Sequence, residues 1–393
     1  MTLRNGKEFL MIPGPTNVPD EVLRAMHRPA VDIYEGPLVR TTDECLDGLR
    51  RLFRTAGRPY IYAANGHGAW DAALTNTLSR GDTVLVLESG RFAVGWGEAA
   101  TLAGLDVEVL PGDWRRPVDP AAVERRLKAD AAGAIKAILV VQVDTASGAL
   151  NDIAAIRAAI DAAGHGALLM VDTIASLGCV PFEMDAWGVD LALTGSQKGL
   201  MTPPGLSFVA AGERALAAHR TADLRISYMD WTFRDGPEHY QKYCGTPPEH
   251  LLFGFRKAIE LIDAEGLANV WRRHALLAEA TRRAVAVWAQ AGALDFNIVE
   301  PSARADSVTV IRFDGADPAP LRAFAREVCG VTVGGTIGAL SGQGIRIGHM
   351  GHVNAVMLLG TLSALELGLK TLGIPYGAGG VQAAIDHLAG ALG

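Results

Sequence analysis

The sequence predicts an α/β fold in which a mostly parallel sheet is covered by helices and is followed by a smaller C-terminal α+β domain. Between residues 59 and 211, short apolar runs alternate with segments of helical periodicity, the pattern of a doubly wound sheet. Runs such as Ile138-Leu-Val-Val-Gln-Val143 are apolar at almost every position, which is typical of parallel strands buried on both faces. After about residue 248 the alternation stops and long amphipathic helices follow, which indicates a second domain.

The first domain is predicted to contain seven strands separated mainly by helices. The strands span residues 59–64, 83–88, 107–110, 137–143, 167–172, 191–194 and 206–211. The helices span residues 66–78, 92–102, 119–128 and 152–163. The third helix has the clearest start, because Asp119 is a favourable N-cap and Pro120 suits the first helical position. In such a sheet, ligands bind outside the carboxyl ends of the strands.

The two ends of the chain do not show the regular alternation of strands and helices seen in the middle. The segment from Met11 to Pro19 contains three prolines and no helical period, so we expect an extended arm. The later part is predicted to contain helices at 250–265, 267–291, 320–328, 354–372 and 381–388, and strands at 296–299, 307–313 and 344–347. We therefore predict an N-terminal arm at 1–20, a large domain at 21–265 and a small domain at 266–393.

The overall composition argues against several classes of binding partner and cellular location. A formal net charge of −7 and an isoelectric point of about 5.8 argue against nucleic acid or an anionic membrane as the main partner. The four cysteines are widely spaced, so they predict neither a metal site nor a disulfide framework, and a cytoplasmic location is expected. No apolar stretch approaches the roughly 18 residues of a membrane span.

Two charged residues at predicted strand ends carry the strongest chemical signal. Lys198 follows a strand within Gly195-Ser-Gln-Lys-Gly199, and Asp172 ends the preceding strand. Alone, the lysine is typical of a solvated loop and the aspartate of a helix N-cap. Together at one edge of the sheet, an amine and a carboxylate suit a Schiff base to pyridoxal phosphate, with the acid on the pyridine nitrogen.

A glycine-rich turn precedes the first predicted helix. Gly66-His-Gly68 follows a strand and opens a helix, where main-chain N–H groups and the positive helix end favour an anion such as phosphate. The same turn half-matches a dinucleotide fingerprint, since Glu88 lies at the end of the next strand, but Asp71 stands where the third glycine belongs. A Rossmann dehydrogenase is therefore the rival interpretation, and it leaves Lys198 unexplained.

Other residues are weaker candidates. Arg346 stands on a glycine-flanked apolar strand. Its guanidinium could form a structural ion pair, or it could bind a substrate carboxylate through two parallel hydrogen bonds. Phe92 could be a core residue or could stack on a cofactor ring. Tyr243 and Thr246 contribute hydroxyl groups in a Pro-rich segment, and no physical argument from the residues alone singles them out.

The chain resembles the class V aminotransferases of pyridoxal-phosphate fold type I, specifically the alanine/serine–glyoxylate group. The resemblance covers nearly the whole length. It is carried by Pro13-Gly-Pro-Thr-Asn17, Gly66-His-Gly68, Val171-Asp-Thr-Ile-Ala-Ser-Leu-Gly178, Gly195-Ser-Gln-Lys-Gly199, Pro203-Pro-Gly205 and Ile345-Arg-Ile-Gly-His-Met-Gly351. The Ser-Gln-Lys segment with the following Pro-Pro-Gly is specific, whereas the glycine turn alone is not.

The resemblance implies roles for individual residues. Lys198 would form the Schiff base with the cofactor, and Asp172 would contact its pyridine nitrogen. The other implied cofactor contacts are Gly66, His67, Gly68, Phe92, Thr145, Gln197, Tyr243 and Thr246. The last two would come from a neighbouring subunit, which implies a homodimer with shared active sites. The implied substrate contacts are Arg346, which would hold the carboxylate, together with Gly14 and Tyr34.

The implied activity is ping-pong transfer of the amino group of serine, alanine or aspartate to glyoxylate. Serine–glyoxylate members carry His-Arg after the aspartate near residue 32, whereas this chain has Val31-Asp-Ile-Tyr-Glu-Gly-Pro37, so serine is not assured as donor. Pyruvate as acceptor, a specialised amine such as ureidoglycine as donor, and a pyridoxal-phosphate lyase stay open. A desulfurase would need a catalytic cysteine, and Cys329 precedes what looks like an ordinary strand.

Overall fold

Two β-sheets organise the chain, each with its own hydrophobic core. The computed structural model describes residues 3–392. The strands are β1 (Phe9–Met11), β2 (Arg58–Tyr62), β3 (Thr83–Leu87), β4 (Asp106–Leu110), β5 (Ile135–Val141), β6 (Val143–Asp144), β7 (Ala149–Leu150), β8 (Leu168–Asp172), β9 (Leu191–Gly195), β10 (Ser207–Ala211), β11 (Leu294–Phe296), β12 (Val308–Phe313), β13 (Val331–Gly335) and β14 (Gly344–Gly348).

The helices cover both sheets. They are α1 (Asp20–Met26), α2 (Pro37–Phe53), α3 (Gly66–Thr77), α4 (Arg91–Leu102), α5 (Pro120–Ala129), α6 (Ile153–Ala162), α7 (Glu213–His219), α8 (Trp231–Arg234), α9 (Glu249–Glu265), α10 (Leu267–Trp288), α11 (Ala319–Cys329), α12 (Ala355–Thr371) and α13 (Gly380–Leu392). In the described part of the chain, none of them combines the length and hydropathy that crossing a lipid bilayer requires.

The large sheet has seven strands in the order β2-β10-β9-β8-β5-β3-β4, and only β10 runs antiparallel to its neighbours. This confirms the mostly parallel seven-stranded sheet. Alternate residues of β3 enter different cores: Leu85 and Leu87 lie on one face, and Val84 and Val86 on the other. Burial on both faces explains why these strands are apolar at every position, since each such side chain stabilises the fold by about 1.5–3 kcal/mol.

The smaller sheet contains five strands in the order β1-β13-β14-β12-β11. The N-terminal strand β1 pairs in parallel with β13, so the beginning of the chain is tied to the C-terminal half. Helix α10 connects the two regions and packs against α9, α13 and β12. The predicted helix at 267–291 ends at Trp288, with a final 3₁₀ turn. The predicted arm, large-domain and small-domain boundaries stay predictions.

Several short elements of the structure differ from the sequence-based expectation. The predicted strand at 137–143 is interrupted at Gln142, whose side chain donates to the Pro181 carbonyl, and β6 forms a separate hairpin with β7. The strand predicted at 296–299 lies at Leu294–Phe296 instead. Helix α2 was not anticipated, and it ends where Arg54 adopts a left-handed backbone conformation.

Candidate active site

The carboxyl ends of β5 and β8 and the turn after β9 enclose a cavity of about 190 Å³. The sequence-predicted residues that line it are Gly66, His67, Phe92, Thr145, Asp172, Gln197 and Lys198. A larger and more open cleft of about 1040 Å³ surrounds Arg58 and Arg214 at the opposite edge of the sheet, and it contains none of these residues. The smaller cavity is therefore the candidate active site, and it lies at the edge where a parallel sheet binds its ligands.

Lys198 lies under the N-terminal arm. Its Nζ donates to the carbonyl of Pro13, and a Cβ on Gly14 would collide with its side chain. Gly14 also has φ +99°, a conformation that favours glycine. Thr16 donates its hydroxyl to the Lys198 carbonyl over 3.0 Å. The arm thus shields this amine from water.

The environment of Lys198 favours the neutral amine. Burial, together with the nearby Arg346 guanidinium, lowers the pKa of Lys198 to about 8, against the opposing effect of Asp172. Part of the lysine population is therefore uncharged near neutral pH. A neutral amine is the form that acts as a nucleophile or accepts a proton.

Asp172 is a fully buried carboxylate with one hydrogen-bond donor on each oxygen. The Ile174 main-chain N–H donates to Oδ1 over 2.7 Å, and the Trp70 indole N–H donates to Oδ2 over 2.7 Å. Burial raises the pKa of Asp172 to about 7. The two donors and Lys198 lower this pKa, whereas the Asp144 carboxylate raises it. Asp172 is thus poised to become fully charged when a cation approaches.

One end of the cavity is built to hold an anion. Helix α3 begins there at Gly66, and the Asn65 side chain caps it by accepting from the His67 N–H over 3.1 Å. A Cβ on Gly66 would collide with Ile174, so glycine is required for this close approach. Gln197 Oε1 is buried without a hydrogen-bond partner. Gly68 faces Ala64 and is not among the residues that line the cavity, and its cofactor contact stays a prediction.

Asp144 connects three parts of the site. Its Oδ2 accepts from the N–H groups of Phe92 over 2.8 Å and Ala93 over 3.1 Å, and its Oδ1 accepts from Ala146. It thereby holds the start of α4, and Phe92 with it. Burial raises the pKa of Asp144 to about 6, against the effect of its donors and of Arg346.

Arg346 lies half-buried on β14, opposite the large sheet. Its Nε donates to the Gly335 carbonyl over 2.7 Å and its Nη1 to the Thr145 carbonyl over 3.1 Å. Among residues 3–392, no carboxylate lies within ion-pair distance of this guanidinium. Burial lowers its pKa to about 10. The Asp144 carboxylate acts on this guanidinium through its charge but forms no ion pair with it, so the partly buried cation still favours an anionic ligand.

Known proteins with similar sequences decide the family. The family model described as "Aminotransferase class-V" matches residues 47–344. A serine–glyoxylate aminotransferase of Methylorubrum extorquens is 40% identical, over 98% of this chain and 97% of the relative. An L-aspartate–glyoxylate aminotransferase of Paracoccus denitrificans is 38% identical, over 96% of this chain and 95% of the relative. The chain belongs to the class-V aminotransferases.

A solved structure agrees with this assignment. The ureidoglycine–glyoxylate aminotransferase of Bacillus subtilis matches with a TM-score of 0.89 and 26% identity, covering 98% of this chain and 99% of that one. The protein is thus a transaminase with the fold type I architecture that the sequence predicts. Family membership implies pyridoxal phosphate as the cofactor.

The cavity of this aminotransferase fits pyridoxal phosphate on three observations. The start of α3 presents main-chain N–H donors to an anion at one end, and the unpartnered Gln197 Oε1 is an acceptor for a donor group of the ligand. Asp172 offers a carboxylate to a pyridinium nitrogen. Lys198 presents an amine whose burial favours the uncharged form.

Three more predicted residues of the aminotransferase, besides Gly68, Gly14 and Arg346, do not line the cavity. Tyr243 is buried within the chain's own core, and its hydroxyl lies 2.8 Å from Thr42 Oγ1. Thr246 and Tyr34 are exposed, and the Tyr34 ring contacts Tyr240 edge to face with 6.3 Å between centroids. Tyr243 would have to share its hydroxyl with a second partner to reach a phosphate in a neighbouring subunit. These roles stay predictions.

The residues on which the rival interpretations depend have other contacts or environments in this aminotransferase. Glu88, which a dinucleotide site would place on a ribose, instead accepts from the Trp114 indole over 2.8 Å and from the Gly112 N–H over 3.2 Å. Cys329 is the last residue of α11, and burial raises the pKa of its thiol, which disfavours the nucleophilic thiolate of a desulfurase. Within the described residues, no cluster of three or more metal-ligating side chains occurs.

Two residues at the site were missed by the sequence reasoning. Trp70 gave no usable signal, because a tryptophan among alanines on a helix is typical of the core. Asp144 did have a signal: it follows the apolar run at 138–143 just as Asp172 follows the apolar run of its own strand. The structure places Asp144 on β6, just beyond the interrupted end of β5, where its carboxylate holds the start of α4 beside the site.

Proposed function

We propose that this aminotransferase uses pyridoxal phosphate to move the amino group of a small L-amino acid to glyoxylate by a ping-pong mechanism. The observation that carries the proposal is one cavity lined by Lys198, whose burial favours the neutral amine, and by the buried Asp172. Arg346, which forms no ion pair with a carboxylate of residues 3–392, lies beside this cavity. Relatives that act on glyoxylate with serine or aspartate, by their names, support glyoxylate as the acceptor.

Different residues of this protein perform different parts of the reaction. Pyridoxal phosphate, when bound, supplies an aldehyde carbon that exchanges amino groups and a ring that accepts the electrons left when Cα loses its proton. Lys198 Nζ accepts that proton and returns it later in the cycle, which a pKa of about 8 permits near neutral pH. Asp172 would place negative charge beside the ring nitrogen. The main-chain N–H of Gly66 and the side-chain NH₂ group of Gln197 would hold the phosphate, and Phe92 would cover the ring.

Arg346 orients the substrate by binding its α-carboxylate through two parallel hydrogen bonds. Its two carbonyl partners hold the guanidinium plane in place before the substrate arrives. The arm residues Pro13 and Gly14 lie on Lys198 and exclude water from the proton transfer. Gly14 and Tyr34 are proposed substrate contacts, and the segment containing Tyr34 is where the choice of amino donor would be made.

The identity of the donor is tested by spectroscopy of the purified enzyme. Serine, alanine and aspartate are added separately to the enzyme loaded with pyridoxal phosphate, and the visible absorption band is followed. The true donor converts the band to that of pyridoxamine phosphate, and glyoxylate restores it. Pyruvate in place of glyoxylate tests the alternative acceptor. A band that none of the three donors changes would instead support a lyase or a specialised amine such as ureidoglycine.

Arg346→Gln is expected to weaken the binding of every donor, because all of them carry an α-carboxylate. Loss of a charge-assisted hydrogen-bond pair of roughly 1.5–3 kcal/mol corresponds to about a 10- to 150-fold rise in KM. Steady-state kinetics with serine, alanine and aspartate measure this. Arg312→Gln, on the neighbouring strand β12, is the matched control. Equal losses in both variants would contradict the proposed carboxylate contact.

We also propose that the enzyme is a homodimer with shared active sites. The residues that would reach the cofactor of the neighbouring subunit are Thr246, which is exposed, and Tyr243, which is buried. Light scattering tests the molar mass, and a monomer with full activity would contradict shared sites. The cytoplasmic location likewise stays a prediction, based on the spacing of the cysteines.

A further inference from the structure

Trp70 connects the helix that opens the anion site to the carboxylate at the floor of the cavity. It is almost completely buried in α3, and it lines the same cavity as Asp172. We propose that Trp70 is a positioning residue, whose indole N–H orients the Asp172 carboxylate and keeps it ionised for the pyridine nitrogen of the cofactor. This inference rests on the proposed use of pyridoxal phosphate.

The geometry assigns one donor to each oxygen of Asp172. The Ile174 N–H on Oδ1 belongs to the main chain and cannot be removed by substitution, whereas the Trp70 N–H on Oδ2 belongs to a side chain. Two donors on different oxygens prevent rotation of the carboxylate plane. The lone pairs that remain on these oxygens are available to a ligand in the cavity.

The charged groups around Asp172 explain why the indole donor is needed. Burial and the Asp144 carboxylate both disfavour the negative charge, and Lys198 is the cation that favours it. The His67 ring packs edge to face on Trp70 with 4.5 Å between centroids and forms no hydrogen bond with Asp172. A hydrogen bond to the charged form is the remaining means of keeping a buried carboxylate ionised. Without the indole, Oδ2 would lose its donor.

A second tryptophan separates this role from simple packing. Trp96 is as deeply buried as Trp70, and the two rings stack with 6.1 Å between centroids. The indole nitrogen of Trp96 has no hydrogen-bond partner. The two residues therefore make similar contributions to the core, and they differ in whether the N–H reaches Asp172.

The experiment compares Trp70→Phe with Trp96→Phe in the full-length enzyme. Both variants lose an indole, but only the first loses a hydrogen bond to a charged group. The dissociation constant for pyridoxal phosphate is measured by equilibrium dialysis of the cofactor-free protein. We expect a rise of roughly tenfold or more in Trp70→Phe, from the usual strength of such bonds, and little change in Trp96→Phe.

A cofactor analogue shows whether the effect passes through Asp172. In 1-deazapyridoxal phosphate a carbon replaces the ring nitrogen, so the carboxylate has no cation to pair with. Trp70→Phe should then bind the analogue about as well as the wild type does. Equal losses for the two ligands, or equal losses in the two variants, would overturn the proposal. If the wild type fails to bind pyridoxal phosphate at all, the proposed function fails and this inference fails with it.

A measurement on the wild type covers the case in which Trp70→Phe does not fold. With ¹⁵N-labelled tryptophan, one of the seven indole N–H signals of the cofactor-free protein should move in Asp172→Asn, because that indole donates to the carboxylate. An indole spectrum that is the same in the wild type and in Asp172→Asn would overturn the proposal.

Discussion

Lys198→Ala is expected to lose transamination by roughly 10²–10⁴-fold or more, the contribution of a positioned general acid–base group. The loss should appear in kcat, because the amine acts on the proton that moves and not on the substrate carboxylate. The variant should still bind pyridoxal phosphate weakly, since Gly66, Gln197 and Asp172 remain. Single-turnover absorbance changes with the best donor measure the rate directly.

The matched control is Lys136→Ala, a solvent-exposed lysine on β5 whose amine contacts only the Gly133 carbonyl. Borohydride treatment followed by mass spectrometry should attach the cofactor to the wild type and to Lys136→Ala. It should leave Lys198→Ala unmodified. Substantial turnover by Lys198→Ala, or cofactor attached to another lysine, would refute the assignment of Lys198.

The large sheet was predictable because its strands obey a simple physical rule. A parallel strand covered on both faces must be apolar throughout, and Lys198 and Asp172 were visible because each interrupts such a pattern at a strand end. One of the elements that were missed had a signal of its own. Helix α2 carries Leu38, Leu49 and Leu52 at helical spacing on its buried face, and it begins with Pro37, a residue that suits the first helical position.

The contacts that tune the site were beyond the reach of sequence patterns. Trp70 and Asp172 are 102 residues apart, and their hydrogen bond depends on how α3 packs on β9 and β10. Strand β1 is three residues long and pairs with β13, about 320 residues later, so neither local periodicity nor composition predicts it. The sequence thus predicted candidate groups for the chemistry, whereas the structure was needed to show which contacts control their charge.

Asp172→Asn is expected to have opposite effects on activity and on the stability of the cofactor-free protein. In activity, the variant lacks the charge that stabilises a protonated ring nitrogen, and the loss of one such electrostatic contact costs roughly 10²–10³-fold in kcat. In stability, the wild type carries a buried carboxylate whose pKa is raised from 3.8 to about 7. The carboxylate is therefore harder to ionise in the native state than in the unfolded chain.

The sign of the pH dependence follows from that raised pKa. Below about pH 4 the group is protonated in both states, so it does not affect stability. Between about pH 4 and 7 the unfolded chain ionises first, so the native state loses stability as the pH rises, and above pH 7 the penalty is constant. At 1.36 kcal/mol per pKa unit this amounts to roughly 4 kcal/mol, of which the amide should recover about half, because its nitrogen cannot accept a hydrogen bond.

Thermal unfolding of the cofactor-free proteins at pH 5 and pH 8 measures this difference. Asp172→Asn should unfold at a higher temperature than the wild type at pH 8, and the gap should narrow at pH 5. Asp386→Asn, an exposed aspartate on α13, should match the wild type at both values. Added pyridoxal phosphate should reverse the order at pH 8, since the ionised Asp172 then gains its cationic partner. If the cofactor-free wild type is more stable than Asp172→Asn at pH 8, then the ionised carboxylate does not destabilise the fold, and the prediction is wrong.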